Sequence, residues 1–168
     1  MRAVWTMGFV AAAALSFLFP DFIVFRFTQA VVPHMRERGG GRIVNISSAF
    51  GHTVPVAGSI DYNASKAALL SFSRTIAVEL AHANILVNSV CPGWIESPML
   101  NRVFEGAKNV LDMPSHDEVS RAFQQYLLIK RMGHPEEVAA MVVFLASDRA
   151  SYITGSVYDI DGGFVKSI

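Results

Sequence analysis

Two short β-branched runs, each feeding a turn, constrain this chain more than any other feature. Arg42-Ile43-Val44-Asn45-Ile46 and Ile85-Leu86-Val87-Asn88-Ser89-Val90 are each long enough for a strand buried on both faces. About one long helix of sequence lies between them, from Tyr62 to Ala81. Parallel neighbours need such a crossover, so the pattern predicts a strand–helix–strand unit in an α/β layer. A third run, Ser156-Val157-Tyr158-Asp159-Ile160, closes the pattern before Asp161-Gly162-Gly163. The expected strands are 42–48, 84–91 and 156–160.

Helices are expected around these strands at 22–37, 62–81, 115–129 and 135–147. In the first, Phe25, Thr28, Val32 and Met35 recur at spacings of three and four. Pro33 would kink it or mark its last turns, and Gly39-Gly40-Gly41 would stop it. Small residues (Ala64, Ala67, Ala68, Ser71) line part of the second and would let another helix approach closely. Ser115 with Glu118 forms a capping box for the third, and Pro135 followed by Glu136 and Glu137 opens the fourth. Residues 97–113 have mixed character and read as a mobile loop with a short helix.

Composition excludes several classes. The 168 residues fit one domain, and 52% apolar against 17% charged content excludes disorder. Fourteen basic residues balance fourteen acidic ones, so no basic excess points to nucleic acid. The single cysteine, Cys91, excludes an internal disulfide, and on spacing no cysteine-based zinc site is expected. The five histidines show no metal-ligand spacing, so no metal is expected. Residues 3–19 carry no charge and are mostly apolar. They have the outline of a signal peptide or short anchor, with a core helix or an altered start as the plainer explanation.

The chemistry-bearing pattern is Ser48 followed by Tyr62-Asn63-Ala64-Ser65-Lys66. Residues four apart on a helix share a face, so the Lys66 ammonium can stabilise a Tyr62 phenolate. A phenol normally ionises near pH 10, and a neighbouring cation brings it closer to neutral proton exchange. A serine hydroxyl at the end of the adjacent strand can hold a substrate oxygen. Together these suit general acid/base chemistry at one C–O group. A bare Tyr-x-x-x-Lys pair also arises by chance on exposed helices.

Longer strings add weight to the pair. Gly41-Arg42-Ile43-Val44-Asn45-Ile46-Ser47-Ser48, Gly51, Tyr62 to Leu69, Val87-Asn88-Ser89-Val90-Cys91-Pro92-Gly93 and Arg131-Met132-Gly133-His134-Pro135-Glu136-Glu137-Val138 resemble the short-chain dehydrogenase/reductase family. The closing strings Phe144 to Asp148, Tyr152 to Gly155 and Asp161-Gly162-Gly163 follow in family order, and the likeness runs from about Thr28 to Phe164.

The resemblance implies the C-terminal portion of a Rossmann-like doubly wound parallel sheet, an NAD or NADP cofactor and a small alcohol or carbonyl substrate. It implies that Tyr62 is the general acid/base and that Lys66 holds the cofactor ribose and lowers the tyrosine pKa. Ser48 would polarise the carbonyl; it is preferred to Ser47 because the family's serine lies three before a glycine, here Gly51. Pro92 and Gly93 would lie beside the nicotinamide, Ile95 would meet its carboxamide through the backbone, and Ser97 would bond the carboxamide or phosphate. Family members associate through the helices matching 22–37 and 62–81, which implies a homo-oligomer, and a cytoplasmic setting follows.

Two departures qualify the resemblance. No TGxxxGxG-like turn precedes Ser48, and the family's catalytic asparagine would fall near Pro20, whereas Asn45 is the first asparagine. The reading is therefore an N-terminally truncated member: residues 1–27 are an atypical hydrophobic segment and 28–168 the catalytic and C-terminal part. Such a chain is expected to bind NAD(P) weakly or not at all and to be at best a very poor catalyst. An inert remnant that associates with full-length relatives is the alternative.

Overall fold

The computed structural model describes residues 22–53, 59–110 and 112–165. The hydrophobic run at 3–19, the position expected for the catalytic asparagine, and the turn residues Pro55 and Gly58 lie outside the described residues. The elements are α1 (Phe22–Glu37), β1 (Gly41–Ile46), α2 (Ile60–Leu80), β2 (Ile85–Pro92), α3 (Pro98–Val110), α4 (His116–Gln124), α5 (Pro135–Ala146) and β3 (Val157–Ile160). The described strands form one parallel sheet in the order β1-β2-β3.

Register follows the sequence closely. Gly41 pairs with Ile85 and Ile46 with Val90, while Ser89 to Pro92 pair with Val157 to Ile160. The first half of β2 is bordered by the turn before β3. There the Val87 amide donates to Thr154 Oγ1, the Val87 carbonyl accepts from the Gly155 amide, and the Asn88 side chain bonds both the Ile153 carbonyl and the Ser156 amide. The Tyr152 to Gly155 string is thus a backbone splice. Asn84, at φ 55°, accepts the Gly41 amide on its carbonyl and donates its side chain to the Gly39 carbonyl, which aligns the starts of β1 and β2.

Alternating strand residues face opposite layers. Ile43, Ile85 and Val87 pack with Val32 and Met35 of α1 and with Phe72, Ile76, Ala77 and Leu80 of α2. Val44 and Val90 pack instead with Val138, Met141, Val142 and Leu145 of α5. The sheet is therefore covered on both faces. The chain steps the same way across the sheet twice, yet α2 and α5 lie on opposite faces, so the two crossovers have opposite hands. One of them departs from the right-handed rule, and the long excursion from 93 to 134 is where the geometry has room for it.

Two expectations change. The segment 97–113 contains a thirteen-residue helix, α3, rather than a mobile loop with a short one. Its signal is Leu100, Phe104 and Ala107, which face one aromatic cluster. The helix expected at 115–129 ends at Gln124, because the Leu128 and Ile129 amides donate to the Gly162 carbonyl. Pro33 falls within the last turns of α1, as expected, and Gly39, at φ 79°, begins the exit.

Candidate active site

Ser47 and Ser48 continue directly from β1, and the Ser47 amide still donates to the Val90 carbonyl at 2.8 Å. The chain then makes a single 3-10 turn, residues 49–51, and both serines are buried. Ser48 Oγ caps that turn by accepting the Phe50 amide at 3.2 Å. Accepting that bond leaves the hydroxyl proton available to donate outward, as polarisation of a carbonyl oxygen requires.

This turn packs against α2 at the level of Lys66. Ser47 Oγ donates to the Lys66 carbonyl at 2.9 Å. Gly51 approaches so closely that a Cβ there would sit 2.9 Å from the Lys66 carbonyl carbon. The Lys66 ammonium reaches back to the Ile46 carbonyl at 3.4 Å and lies 5.7 Å from the centre of the Tyr62 ring. Lower on α2, buried Asn45 donates to Ser73 Oγ, which donates to the Leu69 carbonyl. A buried polar pair of this kind fixes the axial position of α2 against β1, since any slip would strand its groups.

The expected cofactor-side residues gather at the end of β2. The Gly93 amide donates to the Ile160 carbonyl, and a Cβ at Gly93 would lie 2.7 Å from Asp161 Cβ. Asp161 in turn accepts the Gly163 and Val165 amides. Ile95 forms a parallel bridge with Gly133, through the Trp94 carbonyl and the Glu96 amide. In such a bridge Ile95's own amide and carbonyl face the opposite side. Ser97 caps α3 by accepting the Leu100 amide at 3.1 Å. That bond leaves the Ser97 proton, but not all of its oxygen, for a ligand.

An aromatic cluster borders this ground. Phe50, next to the Ser48 cap, packs edge-on to Trp94 and Phe164 at 5.2 and 5.6 Å, and Trp94 packs against Phe123 at 4.7 Å. Behind them Phe104, Val119 and Leu127 are buried. Sequence spacing hid a second grouping. His52 Nε2 lies 2.8 Å from Asp159 Oδ1, 107 positions along the chain, and buried Cys91 joins them. Burial, helped by the Asp159 charge, pushes the Cys91 thiol up to about 11.

Residues 22–165 match the family model described as enoyl-(acyl carrier protein) reductase. Among curated proteins, the chain is 45% identical over 143 residues to a 3-oxoacyl-[acyl-carrier-protein] reductase of Thermotoga maritima, covering 84% of this chain and 52% of that one. It is 42% identical over 136 residues to dehydrogenase/reductase SDR family member 4 of Pongo abelii, covering 81% and 45%. The solved structure of L-sorbose reductase from Gluconobacter frateurii, complexed with NADPH and L-sorbose, superposes with a TM-score of 0.79 at 36% identity, covering 86% of this chain and 55% of that one. The chain thus spans about half the length of the curated relatives it matches.

Proposed function

Since the chain belongs to the short-chain dehydrogenase/reductase family, we propose that it carries the chemical centre of an NAD(P)-dependent oxidoreductase interconverting an alcohol and a ketone or aldehyde. Ser48 donates a hydrogen bond to the substrate oxygen. A bound dihydronicotinamide would supply the hydride in the reductive direction, and the Tyr62 phenol would give its proton to the substrate oxygen. Lys66 would stabilise the phenolate left behind and hold the ribose hydroxyls. Pro92, Gly93, Ile95 and Ser97 would border the nicotinamide.

One observation carries this reading: the Lys66 backbone is clamped against the turn that follows Ser48, with Tyr62 one helical turn away. A catalytic serine and a tyrosine–lysine pair need such a clamp, because misplacement by about 1 Å can cost on the order of 10²-fold in rate. No helix among the described residues is long and apolar enough to cross a membrane. A cytoplasmic setting, with access to soluble nucleotide and small carbonyl compounds, fits the proposal.

A second reading rests on β1. It is one of the two edge strands of the described sheet, and Ile46 on it is 44% exposed. An inert chain that pairs this edge with a full-length relative is consistent with that geometry. Self-association is proposed in either case: Phe27 and Val78 on α1 and α2 are largely exposed, as are the small residues Ala64, Ala68 and Ser71. Titrating the purified chain with NADPH and NADH, then screening carbonyl reduction, separates the two. Saturable nucleotide binding with turnover supports the oxidoreductase. Folded protein that binds neither nucleotide supports the inert partner.

A further inference from the structure

We propose that His52, Cys91 and Asp159 form a zinc-binding site beneath the Ser48 turn, independent of the oxidoreductase assignment. Their ligand atoms already lie within 4.8 Å of one another. Tetrahedral zinc sets nitrogen, oxygen and sulfur ligands roughly 3.3–3.6 Å apart, given Zn–N and Zn–O near 2.0–2.1 Å and Zn–S near 2.3 Å. Small rotamer adjustments therefore suffice.

The scaffold is rigid where it needs to be. Cys91 and Asp159 are direct partners across β2 and β3, so the sheet itself fixes their separation and puts both on one face. His52 is the first residue beyond the 49–51 turn, held by its amide on the Ala49 carbonyl. The hydrogen-bond contact between His52 Nε2 and Asp159 Oδ1, at 2.8 Å, shows that the two ligands can meet. Both side chains keep a little under a third of their surface open, 30% and 27%, while Cys91 is fully buried. The site thus has a closed sulfur side and a solvent side where water can complete the coordination.

Ligand chemistry selects the ion. Thiolate with imidazole disfavours magnesium and calcium, which take all-oxygen shells, and suits zinc. A thiolate and a carboxylate also neutralise a divalent charge within a half-buried site. The Cys91 thiol releases its proton to solvent when the metal binds. No part of the proposed hydride chemistry uses this thiol. Bound metal would instead tie the loop after Ser48 to the end of the sheet.

The test uses cobalt(II) as a spectroscopic stand-in, titrated into the reduced, full-length chain without oxygen. The expected result is saturation at one equivalent. A thiolate-to-cobalt charge-transfer band should appear in the near ultraviolet with strong visible absorption of tetrahedral type, both erased by one equivalent of zinc chloride. Cys91→Ser should abolish the charge-transfer band. His52→Gln, at a surface position that leaves the core intact, should weaken cobalt binding at least about tenfold, with unchanged circular dichroism. Absence of the thiolate band in the wild-type chain, or undiminished affinity in His52→Gln, would overturn the proposal.

Discussion

The sheet with α1, α2 and α5 and the aromatic lobe of α3 and α4 solve the problem of burial differently. In the sheet layer, strand pairing sets the register first, and polar locks such as Asn45–Ser73 and Asn88 with the Ile153–Ser156 turn fix it. Among the described residues the lobe has no strand pairing beyond the Ile95–Gly133 bridge; it rests on Trp94, Leu100, Phe104, Val119, Leu127 and Met132 packing together. A ladder of hydrogen bonds holds atoms to fixed positions, as a chemical centre requires. A cluster of rings holds a shape through packing alone, which substitution can recut. The difference teaches why the proposed catalytic residues Ser48, Tyr62 and Lys66 are mounted on the first region.

The largest effects should come from emptying the two cores. Phe104→Ala is expected to cost about 3–5 kcal/mol and Leu80→Ala about 2–5 kcal/mol. Their reach should differ more than their size. Hydrogen exchange should accelerate mainly across 94–132 for Phe104→Ala, and across α1, α2 and all three strands for Leu80→Ala. Uniform loss of protection in both variants would show that the regions unfold as one and would break the comparison.

Gly93 joins the two regions, and an added methyl there would meet the Asp161 backbone at 2.8 Å. Gly93→Ala should therefore destabilise by about 1–3 kcal/mol through overpacking. Urea denaturation would measure it. An unchanged midpoint would mean the junction is looser than its geometry.

The smallest effect concerns the other joint, where Arg131 grips Glu137 with two bonds of 2.7 and 2.8 Å, and the Glu137 carboxylate also caps the His134 amide. Arg131 holds that carboxyl down at about 2, below its ordinary 4.5. A lowered carboxylate contributes stability fully above its unfolded value and loses it as pH falls through the folded one. The contribution is thus intact above about 4.5 and disappears toward about 2. It is small because both side chains are well exposed. Carbon-detected NMR titration of the Glu137 carboxyl checks it, and a midpoint near 4.5 would show that the pair is open in solution.

The regions also differ in how far they were legible in the sequence. Strands expected at 42–48, 84–91 and 156–160 form at 41–46, 85–92 and 157–160, because β-branched runs bounded by glycine, asparagine and proline carry their own limits. Helix α2 begins at Ile60, near the expected Tyr62. The lobe was read less well. Its apolar residues sit among Asn101, Arg102, Glu105 and Lys108, and α4 ends where a tertiary bond to Gly162 takes over. The tyrosine–lysine pair could be read from helical spacing alone. The clamp on Lys66 could not, since it depends on Gly51 and Ser47 meeting a helix across the loop. The His52–Cys91–Asp159 grouping left no trace in spacing, because strand pairing and a turn bring its members together.

The most direct test of the chemical centre compares the wild-type chain with Tyr62→Phe in NADPH-dependent reduction of a ketone substrate, at matched folding by circular dichroism. Loss of the proton donor should lower turnover by roughly 10²–10⁴-fold, with NADPH affinity little changed. Equal rates in the two proteins, or a wild-type chain that binds NADPH yet reduces no carbonyl compound, would contradict the assignment.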